Sequence, residues 1–250
     1  MLCNYHTHTK RCHHATGTDR EYVESAIKLG IKVLGFSDHA PYIFDGNYYS
    51  HYRMFIDEIG EYKNSVLALK REYKNDIDIK YGFELEYYPD KHQREMEFIK
   101  KYEPEYLILG QHFVGSEPQG SYIARQSDDS FLINYVNECI EGLKTGDFIY
   151  LAHPDIVGYD FSEKVVDREY SRLLQFAKDN DFPVEVNVLG ISGNRWYSKR
   201  KIFTLAKQIG TKVIIGIDAH SPQAISQHSF DLANELVSGL NLNIIEKLDI

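Results

Sequence analysis

Short apolar runs alternate with longer amphipathic segments along almost the whole chain. Seven of these runs have the length of a β-strand and end in or beside a polar residue: Leu2–His6, Val33–Asp38, Ile79–Leu85, Tyr106–His112, Phe148–His153, Pro183–Val188 and Val213–Asp218. This regular alternation of strand and helix predicts a parallel sheet assembled from crossover units.

The segments between these runs carry apolar residues at helical spacing. Asp19–Leu29, for example, begins after Thr18 and ends at Gly30, which are typical helix start and stop signals. The other predicted helices are Tyr52–Lys74, Asp90–Tyr102, Ser127–Lys144, Asp167–Asp179, Lys199–Ile209 and Pro222–Leu236. The tail Leu242–Ile250 is a candidate eighth strand. Since no linker-like or low-complexity stretch interrupts the pattern, we predict a single domain over residues 1–250.

The predicted strands end in side chains of the types that bind metal ions. His6 and His8 point to the same face of the first strand, because side chains alternate along a strand. Later strands end in Asp38-His39, Glu84 and Glu86, His112, His153, Asn187, and Asp218 with His220. In a parallel barrel these ends meet at one face, where active sites are built. An open doubly wound sheet would not bring the first and last strands together, so we predict a closed or nearly closed α/β barrel.

Charge and cysteine content narrow the function classes. The formal net charge is -9, which argues against a general nucleic-acid-binding protein. Three cysteines without regular spacing predict no disulfide framework, and with no secretory signal pattern they favour a cytoplasmic protein. No apolar run approaches the length needed to span a bilayer. Cys12 lies near the histidines, where we interpret it as a free thiol beside the site in preference to a ligand.

Nine residues at or near the strand ends are candidate metal ligands: His6, His8, His14, His39, Glu84, His112, His153, Asp218 and His220. One metal ion uses about four to six ligands, so this set predicts two or three divalent ions. Histidine and carboxylate ligands accept Zn, Mn and Fe. Centres with several such ions favour phosphoester cleavage, because they generate hydroxide and neutralise the phosphoryl oxygens.

Several short motifs resemble, in the same order, those of the polymerase and histidinol phosphatase (PHP) family. They are His6-Thr7-His8, Ser37-Asp38-His39, Gly82-Phe83-Glu84-Leu85-Glu86, Gly110-Gln111-His112-Phe113, Leu151-Ala152-His153-Pro154 and Ile217-Asp218-Ala219-His220-Ser221. The run from Thr9 to Ala15, followed by Asp38-His39-Ala40-Pro41, is most similar to the stand-alone histidinol-phosphatase branch. The resemblance covers essentially the whole chain. It implies a distorted (β/α)7, TIM-like barrel with the active site at the C-terminal ends of the strands.

The resemblance also divides the nine candidates among three metal ions: His6, His8, Glu84 and Asp218 for the first, Glu84 with His112 and His153 for the second, and His14, His39 and His220 for the third. Within this scheme Glu84 bridges two ions. His14 is preferred to His13, because it directly precedes Ala15 as in the family pattern. Asp38 is expected behind the ligands, where it would orient a ligand histidine.

The reaction implied for this branch is hydrolysis of L-histidinol phosphate to L-histidinol and phosphate in histidine biosynthesis. We expect in-line attack on the phosphorus by a metal-bridging hydroxide. The leaving alkoxide would be stabilised or protonated by a metal ion or by a neighbour such as Asp218 or His153, and the sequence does not choose among them.

Chain position also suggests residues that would bind the substrate. Arg195 and Arg125 lie after the sixth and fourth predicted strands, where a cationic side chain would contact the phosphate. Glu117, Glu86 and Asp155 lie in loops from which they would receive the ammonium and imidazole groups.

Two other classes of function stay open at this point. The chain could be another PHP enzyme, namely a general phosphoesterase, a protein-tyrosine phosphatase or an exonuclease, although its acidic charge speaks against a nuclease. It could also be a non-catalytic metal-bound module, which the complete set of nine ligand positions disfavours. The expected partner is a small-molecule phosphate ester, without nucleic acid or membrane, and the sequence does not indicate an oligomeric state.

Overall fold

Parallel strand segments form a curled, closed ring in the computed structural model, which describes residues 3–124, 126–158 and 160–250. The first four strands are hydrogen-bonded in chain order: β1 (Cys3–Asn4), β2 (Val33–His39), β3 (Asp78–Leu85) and β4 (Tyr106–Leu109). The next segment is reduced to a single bridge residue, Leu151, which pairs in parallel with Leu109 on one side and with Val184 on the other.

The second half of the ring returns to the first strand. β5 (Phe113–Val114) and β6 (Ser121–Tyr122) form a separate antiparallel hairpin outside the ring. The ring continues with β7 (Val184–Asn187) and β8 (Lys212–Gly216), and the short β9 (Asn243–Ile244) pairs with β8. Beyond β8, Ala219 pairs in parallel with Thr7. The backbone N–H of His8 donates to the Ala219 carbonyl at 2.9 Å, and that of Ala219 donates to the His6 carbonyl at 3.2 Å. The first and last strands therefore meet, and the predicted distorted barrel is confirmed.

Helices connect the strands and cover the ring. They are α1 (Asp19–Lys28), α2 (Ile59–Glu72), α3 (His92–Ile99), α4 (Asp129–Lys144), α5 (Glu163–Asp179), α6 (Val188–Ser192), α7 (Arg200–Ile209) and α8 (Gln227–Leu240). The start of α1 shows why the sequence signals hold: Thr18 and Glu21 form a reciprocal capping box. None of the helices among the described residues is long and apolar enough to cross a bilayer.

Several predicted boundaries are wrong where tertiary contacts override periodicity. The predicted helix Tyr52–Lys74 begins only at Ile59, after a 3-10 turn, because the chain before it folds back and the Met54 N–H donates to the His39 carbonyl at 3.3 Å. The predicted strand Tyr106–His112 ends at Leu109, and Phe148–His153 retains only the bridge at Leu151. In the tail only Asn243–Ile244 is paired as a strand.

The two ends of the ring differ in chemistry. At the amino ends of the strands, an apolar cluster that includes Tyr5, Tyr106 and Tyr150 packs against Leu248 and Ile250 of the tail. The Leu248 N–H donates to the Tyr5 hydroxyl at 3.2 Å, so the tail is held against this end. The histidines and carboxylates singled out from the sequence gather at the opposite, carboxyl end.

Candidate metal centre

Four side chains converge on one point at the carboxyl end of the ring, and we call them the floor: His6, His8, Glu84 and Asp218. All four are buried, with at most 5% of their surface exposed. His6 and His8 follow β1, Glu84 lies near the end of β3, and Asp218 follows β8. These are the residues that the motif resemblance groups around a first metal ion.

The spacing of the floor matches a metal site. His8 Nε2 lies 3.1 Å from His6 Nε2, 3.1 Å from Asp218 Oδ1 and 3.4 Å from Glu84 Oε2. His6 Nε2 lies 3.5 Å from each of the same two oxygens. Ligands placed about 2.0–2.1 Å from a tetrahedral zinc ion lie about 3.3–3.4 Å from one another. Among the described residues, Glu84 Oε2 and Asp218 Oδ1 find no hydrogen-bond partner, a costly state for buried oxygens that a cation would relieve.

Glu84 contacts histidines through both of its oxygens. Its Oε1 atom lies 2.8 Å from His153 Nε2 and 3.9 Å from His112 Nε2. Its Oε2 atom lies 3.2 Å from His39 Nδ1, in addition to the floor histidines. The two oxygens thus face two different groups of nitrogens, which is the arrangement that a bridging carboxylate needs.

Glycine at position 110 makes room for Glu84. A Cβ atom added to Gly110 would lie 1.8 Å from Glu84 Oε1, so any larger residue would displace the carboxylate. The chain turns at Gly110 immediately after β4 and reaches His112 two residues later. The sequence motif Gly110-Gln111-His112 therefore has a steric basis: it combines the space for one candidate ligand with the placement of another.

A third carboxylate, Glu185, supports the floor from below and was missed by the sequence analysis. It is fully buried on β7, and its Oε1 atom accepts a hydrogen bond from His6 Nδ1 at 2.8 Å. Its Oε2 atom accepts from the His153 N–H at 3.0 Å and from Asn187 Nδ2 at 2.8 Å. When Nδ1 is the donor and the ring is neutral, as it would be in a metal ligand, His6 carries its lone pair on Nε2, which faces the floor. A signal existed, because a glutamate between Val184 and Val186 in a buried strand is rare unless it is paired.

The electrostatics of the floor favour a bound cation. Burial alone would raise the pKa values of Glu84 and Asp218, but the surrounding histidines hold both well below the ordinary range. Burial opposes protonation of His6, yet Glu185, Asp218 and Glu84 together raise its pKa to about 10. The carboxylates are therefore ionised and stabilise positive charge at this point, whether it is a proton on His6 or a bound cation.

A second group of histidines lies above the floor. Side-chain nitrogens of His8, His39 and His220 lie within 4.8 Å of one another, and His14, His220 and Cys12 form a similar group. His14 Nδ1 bonds to the Cys12 carbonyl at 2.7 Å, which leaves its Nε2 free to act as a ligand. His13, in contrast, packs against Phe55 with ring centroids 4.5 Å apart. Cys12 is buried beside these rings.

Asp38 lies behind His8. Its Oδ1 atom is 3.5 Å from His8 Nδ1, and the Thr9 hydroxyl donates to its other oxygen. This is the location that the sequence analysis expects for a carboxylate that orients a ligand histidine, and the role itself stays a prediction.

Two candidate ligands stand on strained backbone. His153 has φ 26° and Asp218 has φ 55°, both in the left-handed region that residues with a Cβ seldom occupy. Such strain persists only where surrounding contacts impose it, and it is concentrated at functional sites. For His153 one such contact is the hydrogen bond from its N–H to Glu185.

The floor opens into a cleft of about 390 Å³. Its walls include His14, His39, His112 and His220, so the cleft gives access to most of the candidate ligands. Three cleft-lining residues at its mouth, Tyr52, Tyr122 and Arg195, are more exposed, and we call them the rim. Tyr52 and Tyr122 are 53% and 44% exposed, and their rings lie nearly parallel with centroids 6.1 Å apart.

Of the predicted substrate-binding residues, Arg195 lines the cleft, whereas Glu117 is buried away from it. Arg195 lines the cleft and donates to the Tyr197 hydroxyl at 3.1 Å, and no carboxylate among the described residues pairs with it. Arg125 lies outside the described residues. Glu117 is only 1% exposed and is held by Arg53 at 2.8 Å, so its location gives no support to the predicted contact with the substrate.

The two further carboxylates suggested for the substrate are also engaged within the protein. Glu86 lines the cleft, but its oxygens bond to His112 Nδ1 at 2.9 Å and to Arg53 at 2.5 Å. Asp155 accepts from the backbone N–H groups of Ser198 and Lys199 at 3.0 and 2.7 Å. Both carboxylates are therefore already paired within the protein, and their contact with an ammonium or imidazole group stays a prediction.

A closed parallel barrel with histidines and carboxylates gathered at its carboxyl end defines a class of metal-binding α/β barrels. A family model, the PHP domain, matches residues 4–188 of the chain. That match spans more than half of the sequence, and the chain belongs to the PHP domain family.

Individual proteins show the same similarity. A protein from Deinococcus radiodurans named probable histidinol-phosphatase is 25% identical over 94% of this chain and 92% of its own. The histidinol-phosphatase of Bacillus subtilis is 28% identical over 54% of this chain and 52% of its own. The histidinol phosphate phosphatase of Lactococcus lactis, solved with zinc, L-histidinol and phosphate, superimposes with a TM-score of 0.76, 17% identity, and coverage of 98% of this chain and 95% of its own. At 17% identity, the last comparison shows similarity of fold alone.

Proposed function

We propose that this chain is a metal-dependent phosphomonoesterase that hydrolyses L-histidinol phosphate to L-histidinol and phosphate in the histidine biosynthesis of the cytoplasm, as a single domain over residues 1–250. The observation that carries the proposal is the floor, in which four buried donor groups lie at metal-ligand spacing beneath an open cleft. The choice of substrate rests on full-length similarity to a protein named for this reaction.

The proposed ligands are the nine residues that the sequence analysis identifies: His6, His8, His14, His39, Glu84, His112, His153, Asp218 and His220. Together they would hold two or three divalent ions, which could be Zn, Mn or Fe. When bound, such ions would supply Lewis acidity at the phosphoryl group and lower the pKa of a water molecule. Glu84 would hold two of the ions in register, because its two oxygens face different histidines.

The remaining steps fall to the protein's own residues. Arg195, exposed at the mouth of the cleft, would bind a phosphoryl oxygen and orient the ester with its phosphorus toward the floor. Of the two candidates for proton donation, Asp218 lines the cleft, but its carboxylate is ionised and would have to take up a proton from the attacking water before it could pass one to the leaving alkoxide. His153 Nε2 is instead engaged by Glu84 at 2.8 Å, which supports a role as a ligand.

The test is phosphate release from L-histidinol phosphate and, in parallel, from p-nitrophenyl phosphate. The protein is first stripped with chelator and then given Zn or Mn. We expect activity that returns with metal and a strong preference for the histidinol ester. Equal cleavage of both esters would reject the substrate while keeping a metal phosphoesterase. Metal binding without activity on either ester would reject the enzyme.

A further inference from the structure

Arg53 is a fully enclosed arginine in the segment between β2 and α2. Only 2% of its surface is exposed, yet it contributes to the wall of the cleft. Its Nη1 atom donates to Glu86 Oε2 at 2.5 Å, and its Nε and Nη2 atoms donate to Glu117 Oε2 at 3.1 and 2.8 Å. One guanidinium therefore joins two buried carboxylates that come from different loops.

Glu86 continues this connection to a candidate ligand. While Oε2 accepts from Arg53, Oε1 accepts from His112 Nδ1 at 2.9 Å. With its Nδ1 position donating to a carboxylate, His112 carries its lone pair on Nε2. That nitrogen lies 3.9 Å from Glu84 Oε1. The orientation of the His112 ring is thus set by Glu86, and that of the Glu86 carboxylate is set by Arg53.

The far side of Arg53 is clamped as well. Glu117 accepts hydrogen bonds from the hydroxyls of Tyr48 and Tyr88 at 2.8 and 3.0 Å. The Arg53 guanidinium also lies over the Tyr42 ring, 4.8 Å from its centroid. These contacts use separate edges and the face of one rigid plane, which a lysine ammonium cannot reproduce.

Removing this cation would leave the buried Glu117 without a cationic partner among the described residues and the buried Glu86 with His112 alone. An uncompensated buried charge is strongly unfavourable, so the side chains would move or take up protons. Movement would take Glu86 away from His112, and protonation would change the hydrogen bond that now fixes the His112 ring. The effect would therefore reach the metal centre although Arg53 itself carries no group suited to metal binding.

We propose that Arg53 is a positioning residue of the metal centre, which orients His112 through Glu86 and thereby sets the affinity of the metal subsite that His112 completes. The inference rests on the proposed function in one respect, namely that His112 is a ligand.

The test is a double-mutant cycle read by metal binding. Zinc content and affinity are measured for the wild type, Arg53→Lys, His112→Gln and the double variant after equilibration in buffered free zinc. Arg53→Lys keeps the positive charge and loses the planar set of N–H donors that binds Glu86 and Glu117 together. We expect it to weaken one metal subsite by about 10- to 100-fold, the usual effect of losing support behind a ligand. In the His112→Gln background the same change should add almost nothing.

Tyr48→Phe serves as the matched control, since it removes one hydrogen bond from the outer end of the network and leaves the contact between Arg53 and Glu86 in place. A Co(II)-substituted spectrum supplies a second measurement, which should change in Arg53→Lys and not in Tyr48→Phe. Thermal unfolding of each variant separates loss of fold from loss of metal.

The outcomes distinguish the two proposals. If His112→Gln weakens zinc binding and Arg53→Lys either has no effect or has an additive one, the positioning role is overturned and the proposed ligand set survives. If His112→Gln leaves zinc binding unchanged, the ligand role of His112 is wrong, and the positioning role falls with it. Loss of a subsite in both single variants without further loss in the double variant supports the inference, whatever substrate the enzyme cleaves.

Discussion

The floor and the rim of the cleft are held in place by different kinds of structure. The floor residues lie on or directly after strands, are almost fully buried, and receive support from Glu185 on a neighbouring strand. Among the rim residues, Tyr52 and Arg195 lie on connecting segments and Tyr122 lies on the hairpin strand β6, outside the ring; the two tyrosines are about half exposed. Positions on strands are set by the hydrogen-bonded ring, whereas loop positions tolerate change. The floor is therefore suited to chemistry that any phosphate ester needs, and the rim to the choice among esters.

The largest effect is expected when the floor loses its shared carboxylate. Glu84→Gln keeps the size of the side chain but removes the charge that faces five histidines. Because a metal centre contributes several kcal/mol, we expect kcat/KM to fall by about 10³-fold or more for both esters. Glu141→Gln, on the exposed face of α4, is the control and should change neither value. A change confined to the KM of one ester would contradict the assignment of chemistry to the floor and of substrate choice to the rim.

A steric change behind the floor should come next. Gly110→Ala places a methyl group only 1.8 Å from Glu84 Oε1, which is too close for both to stay in place. We expect metal content to drop and kcat to fall for every ester, by roughly the 10- to 100-fold seen when ligands lose their orientation. The matched control is Gly60→Ala in α2, where an added Cβ has no atom within 4 Å and should stabilise the helix by about 0.5–1 kcal/mol. Normal metal content in Gly110→Ala would show that Glu84 has room to move.

A smaller and more selective effect is expected at the rim. Arg195→Ala removes the one cleft-lining cation that has no carboxylate partner among the described residues. A hydrogen bond to a charged group contributes about 1.5–3 kcal/mol, so kcat/KM should fall by roughly 10- to 100-fold. The loss should fall mainly on KM, with zinc content unchanged, and Arg195→Lys should recover part of it. Steady-state kinetics with both esters give the comparison. A loss of zinc would instead place Arg195 with the floor.

The smallest effect on activity, and a visible one on stability, is expected at Glu95 behind the segment that carries Tyr52. Glu95 is 1% exposed, and burial raises its pKa to about 8 from an ordinary value of 4.5. Between these two values the native state holds a proton that the unfolded state releases. The free energy of unfolding attributable to Glu95 is therefore fully present below pH 4.5 and declines by about 1.4 kcal/mol per pH unit as the pH rises toward 8.

Glu95→Gln should abolish this dependence. Urea unfolding of both proteins at pH 5 and pH 8.5 tests it: the variant should gain stability relative to the wild type at the higher pH, with kcat unchanged. The comparison between the two proteins cancels the titration of the histidines, which they share. An equal difference at both pH values would mean that Glu95 is ionised in the native protein.

Local patterns in the sequence account for most of the floor and little of what supports it. The strand periodicity and the order of the motifs place His6, His8, Glu84 and Asp218 at one end of a barrel, because parallel crossover topology leaves few alternatives. The same reasoning gave Glu117 a place at the substrate, although the structure pairs it with Arg53. Nothing near Arg53 in the chain marks it as buried, since its partners Glu86 and Glu117 lie 33 and 64 residues away.

The sequence by itself determined the alternation of strands and helices, the closure of the ring and the identity of the side chains at its carboxyl end. Each of these follows from short-range periodicity combined with the small number of allowed topologies. Only the tertiary structure decided which carboxylates stand behind which histidines, such as Glu185 under His6, 179 residues away. Such pairs depend on how loops pack and on where buried charge finds compensation, and neither is encoded in a local pattern.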